Sequence, residues 1–188
     1  MSRGTLAGLA VIAVMAFAAP GAQGAKRIGA NLGALPDTAV CSAGGPEAHT
    51  CTDAIADLSD GSAGAFGPTV PSAGVITSWR IRRADNDFPI QAALRVIRGG
   101  VAAGTSDEAT LAGAGTFSFG TRLPVVAGDR IGVDLRGVPA GEGVFIAHET
   151  ISAADQLTEW MPAIADGGSA SPYVEDEPGV ALLVNADV

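Results

Sequence analysis

Lysine is almost missing from this chain of 188 residues: Lys26 is the single example, and the other basic residues are arginines scattered without a run. With 20 Asp and Glu against 11 Lys and Arg, the formal charge is −9. Nucleic-acid binding rests on clustered basic side chains that neutralise phosphates, so no nucleic-acid partner is expected. The same deficit argues against an anionic membrane surface. A Ser-x-x-Lys nucleophile pair is excluded, and no Gly-x-Ser-x-Gly elbow occurs. Histidine is nearly as scarce, with only His49 and His148 to serve as bases, and aromatic residues make up 5% of the chain.

Long apolar runs are absent after the first 24 residues. Those residues carry Arg3, an apolar stretch over 6–19 and then Pro20-Gly-Ala-Gln-Gly24, the three regions of a secretory signal peptide. The stretch is short for a bilayer, which takes roughly 20 such residues, so cleavage after Gly24 and release as a secreted, extracellular protein are expected, with no membrane insertion afterwards. Residues 25–188 are one domain's length. Losing Arg3 takes their charge from −9 to −10.

Only two cysteines are present, Cys41 and Cys51. In an exported chain a close isolated pair is most simply a disulfide, here closing a loop of turn formers from Ser42 to Thr50. The rival reading, a metal site of Cys41, His49 and Cys51, lacks a fourth ligand at suitable spacing.

What the chain has in quantity is apolar alternation, concentrated in residues 74–135. Val75, Thr77, Trp79 and Ile81 share one face of a strand, with Ser78, Arg80 and Arg82 on the other and Ile76 as the one break. Ile90, Ala92, Leu94 and Val96 repeat the pattern, as do Phe117 with Phe119 and then Ile131, Val133 and Leu135. Ala84-Asp-Asn-Asp-Phe-Pro89 is a turn by composition. In 126–130, Gly128 can supply positive φ while Asp129 bonds its own backbone. Further strands are expected at 144–148, 157–161 and 180–186. Residues 53–71 have no sustained period and read as an extended connection, with at most one helical turn capped by Asp53. The expectation is an all-β, two-sheet antiparallel sandwich, jelly-roll-like, of about eight or nine strands. Residues 25–73 would form an N-terminal extension carrying the disulfide loop, and 74–188 the core.

The segments Gly-Val-Ile-Thr-Ser-Trp-Arg-Ile at 74–81, Thr-Arg-Leu-Pro-Val-Val-Ala-Gly-Asp-Arg-Ile-Gly at 121–132 and Leu-Leu-Val-Asn-Ala-Asp-Val at 182–188 resemble a family of uncharacterised secreted β-sandwich proteins from actinobacteria. The resemblance implies the fold and no activity. Members often continue into acidic Asp-x-Asp-x-Asp-Gly repeats of the thrombospondin type 3 kind, which bind calcium. This sequence reaches Val188 without such repeats, so their calcium is not carried over.

Candidate chemistry is thin. Asp85 and Asp87, at i and i+2 of a turn, and the run Glu175-Asp-Glu177 are suited to weak calcium binding, although calcium takes six to eight oxygens. No other cofactor is expected. Trp160 and Tyr173 fall outside the alternating core and could present an aromatic platform to a glycan. His148-Glu149 at a strand end is the one position resembling a catalytic pair, and Glu149, Glu159 or the run Glu175-Asp-Glu177 could supply a glycosidase carboxylate pair, although spacing does not support the pairing. The expected function is a secreted, non-catalytic module with a structural or interaction role, its partner an unidentified extracellular molecule. A carbohydrate-binding module facing a cell-surface glycan is the alternative, and a hydrolase with an unrecognised site is third.

Overall fold

A computed structural model describes residues 25–42, 48–59, 61–62 and 67–188. The expected signal peptide lies outside the described residues. Among these the chain is all-β, with fourteen strands and no helix: β1 (Arg27–Gly29), β2 (Thr38–Val40), β3 (His49–Asp57), β4 (Gly74–Arg83), β5 (Ile90–Arg98), β6 (Val101–Thr105), β7 (Ala109–Leu111), β8 (Gly115–Val125), β9 (Arg130–Val138), β10 (Val144–Glu149), β11 (Gln156–Trp160), β12 (Val174–Pro178), β13 (Val180–Leu182) and β14 (Val184–Asp187). The count exceeds eight or nine because the additions are mostly pieces of three to five residues, too short to establish a period.

The strands build two layers. One is a seven-stranded sheet in the order β12-β11-β3-β9-β5-β6, with β7 also on β5. The other comprises β1-β14-β4-β8 and β13-β10-β2. These join at Leu183, whose N–H donates to Ile146 O at 2.8 Å and whose carbonyl accepts from Arg82 N–H at 3.0 Å. The apolar faces of both layers meet in one cluster that includes Trp79, Ile81, Leu94, Ile131, Leu135, Ile146 and Val184. Trp79 is fully buried, its ring 4.8 Å from that of Phe119.

Two departures from the sequence reading have identifiable causes. In β4 the register against β8 slips between Ile76 and Ser78. Beyond the slip Ile76 joins Trp79 and Ile81 in the core, while Val75 and Thr77 point to solvent. The extra residue of a bulge re-aims the side chains beyond it, so Ile76, the apparent break in the pattern, is the core residue.

The second departure is β3. Residues 53–57 belong to a nine-residue strand between β11 and β9 rather than to a helical turn or a connection. The region 25–73 thus supplies a central strand of the larger sheet. Cys51 and Ile55 are in the main core cluster and Ala54 packs on the outer side of the sheet, which places Asp53 at an inward position. An aspartate there interrupts the apolar alternation. Gly132 of β9 permits the close pairing, since a Cβ would lie 2.3 Å from Asp53 O.

The turn between β8 and β9 follows its composition. Gly128 has φ +86°, and Asp129 accepts the Val126 N–H at 2.8 Å.

Candidate functional site

Each long strand of the seven-stranded sheet turns one side to the core and one outward. The outward side is partly covered by the segment 161–170, fastened by Arg95. That guanidinium is buried and donates to both carboxylate oxygens of Asp134, to Ile164 O at 2.9 Å, to Asp166 and to Thr105. Thr52 Oγ1 completes the clasp by donating to Asp134 at 2.7 Å and accepting Ile164 N–H at 3.0 Å. Hydrogen bonds from Thr105 and Arg95 hold the Asp166 carboxyl below the usual carboxylate range. These charges are structural, spent on holding the strap.

Beside the strap the outer face opens into a cleft of about 450 Å3. Ala54, Ile97, Thr158 and Trp160 line its floor. Gly99, Gly100, Gly128 and Arg130 form one side and Ala170, Pro172, Glu175 and Asp176 the other. Gly99, Gly100 and Gly128 all have positive φ, which the turns beside the cleft require. Asp176 has φ +49°, unusual for a residue with a side chain. Thr158 Oγ1 donates to its carboxylate at 2.9 Å. Arg130 and Glu175 are both exposed at the rim and, among the described residues, neither has an ion-pair partner.

Trp160 therefore belongs to this cleft, but not as an exposed platform. It is 6% exposed, and its indole N–H donates to Ala170 O at 3.0 Å. Tyr173 is 63% exposed and is not among the cleft-lining residues. The two rings form no stacking pair.

Asp85 and Asp87 are both exposed in the turn after β4. Between them Asn86 makes the structural contacts, accepting from Arg83 Nε at 3.3 Å and donating to Gly143 O at 3.1 Å. Among the described residues neither aspartate falls in a cluster of three groups able to hold a metal; the one such cluster is Cys41, Cys51 and Asp53. There the two sulfurs are bonded to each other, with Cα atoms 5.7 Å apart. His49 is engaged elsewhere, its Nε2 2.6 Å from Cys41 O. The disulfide is thus present, and the Cys41, His49, Cys51 metal reading gives way to it.

His148 and Glu149 line a smaller cleft of about 380 Å3 that also includes Ser62. The His148 Nδ1 lies 2.9 Å from Asp37 Oδ2 without making a hydrogen bond. Asp37 Oδ1 instead accepts from Glu149 N–H at 2.8 Å and Thr38 Oγ1 at 3.1 Å. The Ser62 hydroxyl donates to Asp155 at 2.8 Å rather than to the histidine. Glu149 is exposed and Glu159 buried, so the sheets do not bring them together as a pair flanking an open cleft.

Glu159 is instead paired with a residue the sequence reading treated as a helix cap. It sits opposite Asp53 across β11 and β3. Burial, followed by the charge of and hydrogen bond with Glu159, pushes the Asp53 carboxyl well above the usual carboxylate range. Asp53 Oδ1 receives no donor from the rest of the protein.

Among the described residues no helix is long and apolar enough to cross a membrane. Comparison with protein-family models, with curated proteins and with solved structures finds no match.

Proposed function

We propose that the protein is a secreted, non-catalytic binding module that holds an extracellular ligand in the cleft on the outer face of the seven-stranded sheet. One observation carries this reading: the outer face of the sheet holds a cleft of about 450 Å3 floored by Ala54, Ile97, Thr158 and Trp160, with Arg130 at one side and Glu175 and Asp176 at the other. A partly apolar concavity with a few polar groups converging on it is what ligand recognition uses. The disulfide agrees with export to an oxidising compartment. The resemblance to secreted actinobacterial β-sandwich proteins points the same way.

A carbohydrate ligand is the second reading, supported by the indole of Trp160 in the cleft. The low exposure of that ring weighs against stacking on a sugar face. The test is to screen the purified protein against chromogenic ester, peptide and glycoside substrates while following thermal shifts with soluble glycans and peptides. Ligand-dependent stabilisation without turnover is expected. Turnover lost in a His148 or Glu149 substitution would replace this reading with an enzyme.

A further inference from the structure

We infer that the cleft takes a dipolar ligand of tripeptide length, its ammonium against Glu175 and Asp176 and its carboxylate against Arg130. The inference rests on the binding-module reading and names the ligand class for the same cleft.

The argument begins with strand order. The cleft crosses the sheet at right angles to its strands: Glu175 and Asp176 stand on β12, Thr158 on β11, Ala54 on β3, Arg130 on β9 and Ile97 on β5. Thr158 pairs with Ala54, Ala54 with Gly132 two residues from Arg130, and Arg130 with Ile97. From β12 to β9 is three strand spacings, about 14 Å at the backbone. The long Arg130 and Glu175 side chains, which line the cleft from its two sides, have the reach to make up the difference. An extended tripeptide rises roughly 3.3–3.6 Å per residue, which sets its two charged termini about 10 Å apart and fits between the acidic and basic ends.

Polarity agrees with length. One end offers two carboxylates, of which Asp176 receives only the Thr158 hydroxyl and Glu175 no ion pair among the described residues. The other offers a guanidinium whose planar fork suits a terminal carboxylate. The floor between them is Ala54, the edge of Trp160 and Thr158, with Ile97 beyond Arg130, and its small, largely apolar surface suits a small aliphatic side chain. A neutral sugar could hydrogen-bond the rim groups without complementing their opposite charges, and the covered Trp160 ring would offer it little face.

The experiment uses the purified protein and amide chemical-shift mapping, with four probes: trialanine, N-acetyl-trialanine, trialanine amide and a neutral N-acetylated trisaccharide. Trialanine is expected to shift the amides of Gly99, Gly100, Thr158 and Glu175. Blocking either terminus should weaken binding by about tenfold or more, the worth of one charge-assisted contact. In Arg130→Ala the free acid and the amide should bind alike, while acetylation still weakens. In Glu175→Gln the penalty for acetylation should shrink, Asp176 remaining, while amidation still weakens. Both side chains are exposed, so both variants should keep the wild-type spectrum elsewhere. Blocked peptides binding as well as trialanine would overturn the inference, as would a folded protein whose cleft amides ignore trialanine. Cleft shifts produced by the trisaccharide alone would also overturn it, while leaving the binding-module reading standing.

Discussion

Asp53 and Glu159 face one another across β3 and β11 as two carboxyl groups buried inside the sandwich, with the Cys41 N–H donating to Glu159 Oε2 at 2.9 Å and Cys51 Sγ 3.2 Å from Asp53 Oδ2. The disulfide therefore abuts the buried pair, and burial together with Glu159 pushes the Asp53 carboxyl well above the usual carboxylate range.

The pair makes stability fall as pH rises. Asp53 has a folded pKa raised above the unfolded value of about 4, so the native state holds a proton that the unfolded chain releases. Its contribution is fully present below about pH 4 and is lost as pH rises through the folded pKa. Asp53→Asn keeps a donor towards Glu159 and removes the titration. Urea midpoints across pH should show a downward slope in the wild type that is flattened in the variant; identical profiles would contradict the raised Asp53 pKa.

At the acid end Asp187 acts in the opposite sense. Hydrogen bonds from Arg80, then from Ser78 and Arg27, outweigh burial and hold its carboxyl well below the usual carboxylate range. The stability it contributes is present above about pH 4 and lost as pH falls below that. Asp187→Asn should lower the midpoint at neutral pH and narrow the difference from wild type at pH 2, measured in the same urea series.

How much of this was legible in the chain depends on what lies behind each side chain. The strands of 74–135 declared themselves because their inward positions are nearly all apolar, and Trp79 is buried as its place between Ile76 and Ile81 requires. The bulge opposite Ile76 was visible only as an irregularity, since alternation alone does not tell a break from a slip. β3 was hidden because Asp53 stands where an apolar residue was expected, and its partner lies more than 100 residues away. The cleft was half visible. Trp160 was singled out, but its rim at Gly99, Gly100, Gly128 and Arg130 comes from two turns that only the sheet order brings beside β11 and β12. Three glycines within or beside tight turns were the available signal, and they read as turn residues.

Trp79→Ala should cost about 3–5 kcal/mol, the range for emptying a buried aromatic site, with loss of the Phe119 contact. Val75→Ala, 38% exposed beyond the register slip, should stay within about 0.5–1 kcal/mol. Equilibrium denaturation separates the two. Equal costs would restore the unbulged register.

Removing the cross-link in a Cys41→Ser, Cys51→Ser double variant should cost about 2–3 kcal/mol by the chain-entropy of so short a loop. Thiol titration of the denatured, unreduced protein should return none, as the sulfurs are bonded to each other. Two reactive thiols would remove the disulfide from the account.

Arg95→Met should be more damaging than its size suggests, by about 3–5 kcal/mol, because it strands the buried Asp134 carboxylate. Adding Asp134→Asn should recover part of that loss. A cost below about 1 kcal/mol would show that the strap over the outer face does not depend on the clasp.

The central claim is that the outer-face cleft is the seat of a ligand, and blocking it is the most direct test. Ala170 is exposed and lines that cleft, so Ala170→Trp fills the space without touching the core. Titration of wild type and variant with the best ligand from the thermal-shift screen, followed by calorimetry, should give binding in the first and none in the second at equal stability. Binding undiminished in Ala170→Trp would contradict the account.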